Sequence, residues 1–174
     1  PDSNIMEDLD ELEDLYDMLV EDFKDRVANG EPPVMKMIIV DDFSFSGKLQ
    51  SRFNALSKVY CNSRKFLISI ITTAQAYTQI AKNIRLQATG IIVFQTTNRE
   101  LEIIEAENNF LEGGKKSFFR MFRSVVKERH DFLCINYTNN FKNLYLDKNF
   151  KPILPNQNKE EEETPERKRF NKSK

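Results

Sequence analysis

Three clusters of polar side chains stand at the ends of apolar runs. Asp41-Asp42 follows Met35-Lys36-Met37-Ile38-Ile39-Val40; Thr73 and Gln75 follow Phe66-Leu67-Ile68-Ser69-Ile70-Ile71-Thr72; Gln95 and Thr96-Thr97-Asn98 follow Gly90-Ile91-Ile92-Val93-Phe94. If the runs are adjacent parallel strands, their carboxyl ends converge on one rim, where open α/β folds bind ligands. On such a rim one aspartate can hold magnesium and a second acid can take a proton from an attacking water. An amide can orient water or phosphate. Arg85, shortly before the third run, carries a planar guanidinium able to meet phosphate oxygens in two places. An acid pair after an apolar run is by itself commonplace, as a helix cap or a solvated loop. Gln75, about 35 residues on at the end of the next run, makes the pattern more specific.

The elements that must position these residues follow from periodicity. Ile5, Leu9, Leu12, Leu15, Leu19, Phe23 and Val27 draw one stripe at three- and four-residue spacing, an amphipathic N-terminal helix. Ser3 or Asn4 can cap its start, and Asn29-Gly30 with Pro32-Pro33 stops it. A strand is expected at 35–41, a polar loop at 44–48, and a helix through Leu49, Phe53, Leu56, Val59 and Tyr60. Strands follow at 66–72 and 90–95, with a loop or short helix through Ile80, Ile84 and Arg85 between them. Helices at 98–110 and 115–128, separated by Gly113-Gly114, lead to a fourth strand at 132–137 and a short edge strand at 143–146. Nearly continuous apolar strands alternating with helices predict an α/β fold, with a mostly parallel sheet covered on both faces. Residues 1–155 read as one domain and 156–174 as a disordered, charged tail.

The net charge of -1 conceals an uneven distribution. Residues 1–33 carry 12 acids against 2 bases, whereas 34–158 carry 18 bases against 10 acids. A basic middle segment suits a polyanionic partner, although a solvated surface explains charge alone as well. Lys115, Lys116, Arg120, Arg123, Lys127 and Arg129 lie opposite Phe118, Phe119, Phe122 and Val125-Val126. That pattern is an amphipathic surface helix, with DNA contact as the functional alternative. No apolar run approaches the roughly 20 residues of a membrane span, and no secretory pattern is present. Cys61 and Cys134 lack metal-site spacing and read as free thiols in a reducing compartment. His130, the single histidine, has no Ser or Cys nucleophile placed to use it.

The runs Met37-Ile38-Ile39-Val40-Asp41-Asp42-Phe43, 63–75 and 83–94 together resemble the poxvirus-type genome-packaging ATPases of large DNA viruses, in the FtsK–HerA division of P-loop motors. The resemblance covers about 35–150. It implies a three-layer RecA/FtsK-like fold with Asp41 as the Walker B magnesium ligand, Asp42 as the catalytic acid, Gln75 as the sensor and Arg85 as the arginine after the sensor loop. It further implies ATP and Mg2+ as cofactors, double-stranded DNA and capsid or portal components as partners, and a homo-oligomeric ring. The expected setting is the host-cell cytoplasm (the viral factory) or the virion, with no membrane and no secretion.

Two features depart from that pattern. Arg64-Lys65 stands where the family often has Arg-His. More seriously, a phosphate-cradling loop needs glycine-rich backbone and Lys-Ser/Thr at a helix start, and the glycines here are 30, 47, 90, 113 and 114. Gly47-Lys48-Leu49 comes after the acid pair, in the wrong order. The fold is therefore expected to be incomplete, without its central P-loop strand and with the fourth strand short of a neighbour. A fragment or split form of a motor is one reading, inactive in ATP hydrolysis as it stands. A non-catalytic subunit that keeps the motor fold and binds DNA or partners is the alternative. A receiver domain also has a strand ending in two acids, but it needs a phosphate-accepting aspartate at a later strand end, and 73–75 and 95–98 supply none.

Overall fold

The computed structural model describes residues 11–41, 49–138 and 143–153. Asp42, the 44–48 loop with Gly47 and Lys48, the helix start at Ser3, Asn4, Ile5 and Leu9, the side chains of Leu49 and Phe53, and the 156–174 tail lie outside them.

Helix α1, Leu12–Ala28, buries Leu12, Tyr16 and Val20. Leu15, Leu19 and Phe23 are half-buried and Val27 is exposed, so the inward face is turned slightly from the expected stripe toward Tyr16 and Val20. The helix ends where expected. Gly30 takes φ +72°, a left-handed backbone that side chains resist, and its N–H donates to the Val27 carbonyl. Strand β1, Lys36–Val40, pairs in parallel with β2, Ile68–Thr72, from Lys36 opposite Ile68 to Val40 opposite Thr72. Helix α2, Leu49–Asn62, and a 3-10 turn, Ser63–Phe66, link the two strands. Ile38, Val40 and Ile68 meet Leu12, Tyr16, Val20, Leu56, Val59 and Ile84 in a first core.

Among the described residues that pair is covered on one face only. Met37 and Ile39 are 59% and 64% exposed, and Ile71, opposite Ile39, is 48% exposed. Alternate strand residues face opposite ways, and the core residues of α1, α2 and α3 (Lys82–Arg85) all pack with Ile38, Val40 and Ile68. The described residues form a mixed helix-and-sheet structure with a small parallel pair, compatible with α/β, and supply one covering layer on this pair rather than the expected two.

The remaining strands depart further from the sequence reading. Strand β3, Gly90–Val93, lies antiparallel to β4, Leu133–Asn136, and β4 antiparallel to β5, Tyr145–Leu146. The expectation of one mostly parallel sheet is thus replaced by a parallel pair and a three-stranded antiparallel sheet. The reason lies in the connection. A single helix between two strands gives the parallel crossover, but two intervene here, α4 (Asn98–Asn108) and α5 (Gly114–Val125). The chain traverses the sheet twice before β4 and comes back along β3 in the opposite sense. These helices and strands enclose a second core containing Phe118, Leu133 and Ile135, all fully buried. Strand β4 has a neighbour on each side, contrary to the expectation that the fourth strand lacks one. Among the described residues β1, β2 and β3 each leave one edge open, while β5 is bridged on its far side through Leu146 and Pro152.

Candidate functional site: the carboxyl rim of the parallel pair

Parallel pairing fixes what the first two polar clusters can do together. Val40 opposite Thr72 makes Asp41 and Thr73 the next facing pair, both at the carboxyl end. The Thr73 N–H continues the ladder to the Val40 carbonyl at 2.9 Å, and the Thr73 hydroxyl donates to Asp41 Oδ1 at 2.5 Å. Tyr60, from α2, donates its hydroxyl to Thr72 Oγ1 at 2.9 Å; burial pushes its pKa upward. Gln75 follows two residues beyond Thr73 and is exposed, as is Asp41. The acid and the amide therefore leave the sheet at the same end. Asp42, the expected catalytic acid, lies outside the described residues.

An exposed carboxylate beside a hydroxyl offers hard oxygen donors, which suit magnesium. That ion is usually held by one or two carboxylates together with substrate phosphates and water. Among the described residues no group of three His, Cys, Asp or Glu side chains could hold a metal by itself. The carboxylate and hydroxyl are donors of the kind used for a cation shared with a phosphate ligand. The third cluster is occupied differently. Thr97 caps α4, its hydroxyl accepting from the Glu100 N–H at 3.3 Å, while Gln95 is exposed at the end of the other sheet.

Arg85 is turned inward. Its Nε and Nη2 donate to Glu107 at 3.0 and 2.6 Å, its Nη1 donates to the Ile80 carbonyl, and the guanidinium lies 4.5 Å from the centre of the Tyr77 ring. Burial opposes the guanidinium charge, but Glu107 outweighs it and the pKa is raised. The Arg85 hydrogen bonds in turn lower the Glu107 pKa against the opposing effect of burial. Around this pair runs a network that the sequence reading did not include. Tyr77 donates to Glu107 at 2.8 Å, Asn108 donates to the Tyr77 hydroxyl at 3.1 Å, and Tyr137 donates to Asn108 Oδ1. Tyr145 closes it through the Asn108 carbonyl at 2.7 Å. Burial raises Tyr77 and pushes Tyr137 up to about 12. One sequence signal pointed here: Glu105 and Glu107 sit in the last turn of α4, where the helix dipole disfavours acids. An acid in that position needs a cation from elsewhere.

The other singled-out residues have plainer surroundings. Cys61 is exposed and Cys134 buried, both as free thiols. His130 is exposed. Its neighbour Asp131 is buried and accepts from Lys148 at 2.6 Å and from the Lys127 and Glu128 N–H groups. Those bonds, Lys148 foremost, hold its pKa down at about 2. No helix among the described residues is long and apolar enough to cross a membrane.

No individual curated protein matches the chain. The family model described as Poxvirus A32 protein matches residues 6–147. The chain belongs to this family, that of the poxvirus A32 packaging ATPases.

Proposed function

We propose, from this family membership, that the chain forms the Walker B half of a viral motor that couples ATP hydrolysis to movement of double-stranded DNA into the capsid. The observation that carries the reading is the shared rim: Asp41 and Gln75 leave adjacent parallel strands at one end, and Thr73 orients the carboxylate. In this reading Asp41 holds the magnesium of a bound nucleotide, Asp42 accepts the proton of the attacking water, and Gln75 orients that water or the terminal phosphate. Bound Mg-ATP supplies the phosphoryl group whose transfer to water drives the work. Thr73 acts one step removed, keeping the Asp41 carboxylate from rotating away from the rim. Arg85 serves as a positioning residue. Its donors are engaged by Glu107 and Ile80, so it fixes the segment after Gln75 against α4.

No stretch of the 174 residues has the glycine-rich Lys-Ser/Thr form of a phosphate loop. We infer that this loop comes from polypeptide outside this sequence, and that the two sheets are flanks of one FtsK–HerA-type sheet. The open edges of β2 and β3 and the uncovered apolar face of β1 and β2 support that arrangement. By itself the segment then has no ATPase activity. In a protein carrying it together with a phosphate loop, Asp42→Asn is expected to abolish ATP turnover, by a factor on the order of 10³ or more. Nucleotide binding should stay within about threefold, because the general base acts mainly in the transition state. Turnover retained in Asp42→Asn, measured with and without duplex DNA, would remove Asp42 from the role.

A further inference from the structure

Helix α5 has its charges sorted to an unusual degree. Phe118, Met121 and Phe122 are buried in the second core. The outward side presents Lys116, Arg120 and Arg123, at positions i, i+4 and i+7, with Lys127 continuing the row just past the helix; all four are exposed. The helix contains no acid. Among the described residues Lys116, Arg120, Arg123 and Lys127 have no salt-bridge partner, whereas Lys115 pairs with Glu102 at 2.8 Å. Phe119 stands in the middle of the row. Its ring lies 5.5 Å from Lys115 Nζ and 5.6 Å from the Arg123 guanidinium, which fixes the direction in which Arg123 projects. Lys116, Phe119, Arg120, Arg123 and Ser124 together line a concavity.

Fold stability alone does not account for this row. Lys115 and Lys116 occupy the first turn of α5, where the helix dipole disfavours cations and favours acids. Arg120 and Arg123 stand three residues apart on the same face, close enough for like charges to repel. At Lys115 and Lys116 and between Arg120 and Arg123 the arrangement costs helix stability, whereas Arg123 in the last turn is favoured by the dipole.

We propose that the outward face of α5 is a duplex-DNA contact, with Lys116, Arg120 and Arg123 each meeting backbone phosphate. The proposal rests on the DNA-motor reading above and names the surface that reading leaves unassigned. From Lys116 to Arg123 the helix rises about 10 Å, a length over which a duplex presents about six phosphate charges. A phosphate track needs a row of one sign, and this face has that form. The Phe119 ring holds the Arg123 guanidinium in place on this face.

The test compares the wild-type chain with the triple variant Lys116→Gln, Arg120→Gln, Arg123→Gln by fluorescence anisotropy on a labelled 20-base-pair duplex, over a salt series. The control variant Lys24→Gln, Lys65→Gln removes exposed charge elsewhere. The triple variant is expected to bind about tenfold or more weakly, and the slope of log affinity on log salt should fall by about 0.9 for each phosphate that is no longer neutralised. Its thermal midpoint should be little changed, since the unfavourable first-turn Lys116 charge and the favourable last-turn Arg123 charge leave the helix together; a purely structural row would lower it. The control should bind as wild type does. If the wild type binds duplex and the triple variant matches it in affinity and slope, the assignment of α5 fails while the motor reading survives. If the wild type binds no duplex, or the row instead mediates binding to phosphatidylserine vesicles, the assignment and the DNA reading fail together.

Discussion

The two halves of the molecule meet their obligations to solvent in different ways. The first, built on β1 and β2, has an aliphatic core and helices on one face, and its outer face shows Met37, Ile39 and Ile71 to water. The second, built on β3, β4 and β5, is rich in aromatic residues, with Phe118 edge-on to Tyr145 at 6.0 Å. It is also tied by buried hydroxyls and amides through Asn108. The first half carries the candidate chemistry yet is open; the second carries none of the rim residues of the parallel pair yet is closed. The aromatic core and the carboxyl rim of the parallel pair are thus separated in space. The 76–85 segment joins them, with Tyr77 packed on the second core, Ile80 and Ala81 on the first, and Arg85 paired across to Glu107.

That contrast is most sharply broken at Phe118. The ring is fully buried among Leu133, Ile135 and Tyr145, and no water-exposed edge offers room to relax. Phe118→Ala should cost about 3–5 kcal/mol, transfer free energy and cavity together. Chemical denaturation read by circular dichroism gives the number. A loss below about 1 kcal/mol would mean that the second core is not closely packed around this ring.

The link between the halves comes next in size. Glu107→Gln leaves the Arg85 guanidinium with its side chain only 10% exposed and without its counter-charge. Because Glu107 itself is 18% exposed and solvent screens part of the pair, the expected cost is about 2 kcal/mol. The same pair sets a pH dependence. The Glu107 pKa is lowered on folding, so its contribution is fully present above the unfolded carboxyl value of about 4.3 and is lost as pH falls through the lowered folded value. Asp131, held at about 2, keeps its bond to Lys148 well into that range. Stability of wild type and Glu107→Gln measured from pH 6 to pH 3 should therefore converge. Parallel curves would assign the cost of the variant to packing instead of charge.

What could be read from the chain follows the same division. Strand positions were legible throughout, because the β-branched runs act locally: β1, β2, β3 and β4 all lie within the expected spans. Gly30 and Gly113 mark the end of α1 and the start of α5, whereas α4 and α5 stop at Asn108 and Val125, short of the expected 110 and 128. The partnership of Asp41 with the second strand end was legible too, since one helix between two strands implies parallel pairing. The direction of β4 was not, because it depends on how many times the chain crosses between strands, not on any residue within them. Arg85 shows the other limit. Its type and position suit phosphate, and Glu107, 22 residues away, becomes its partner only when α3 and α4 are brought together. Thr97, one of the polar residues at the third strand end, serves α4 as a cap, a role its Thr-x-x-Glu spacing to Glu100 could have indicated.

The open face of the first half gives the smallest effect on folding. Ile39 and Ile71 face each other across β1 and β2 and are 64% and 48% exposed, so little apolar surface is withdrawn from water when the chain folds alone. Ile39→Thr with Ile71→Thr keeps the β-branched shape that strands favour while removing the exposed apolar character. Folding stability is expected to shift by less than about 0.5 kcal/mol for each substitution, as for other surface positions. Self-association should decrease, because an apolar sheet face beside an open strand edge is a template for pairing with further chains. Sedimentation velocity across a concentration series, alongside the denaturation curve, separates the two quantities. A stability loss comparable to that of Phe118→Ala would show that this face is covered in solution, and the contrast between an open half and a closed one would not hold.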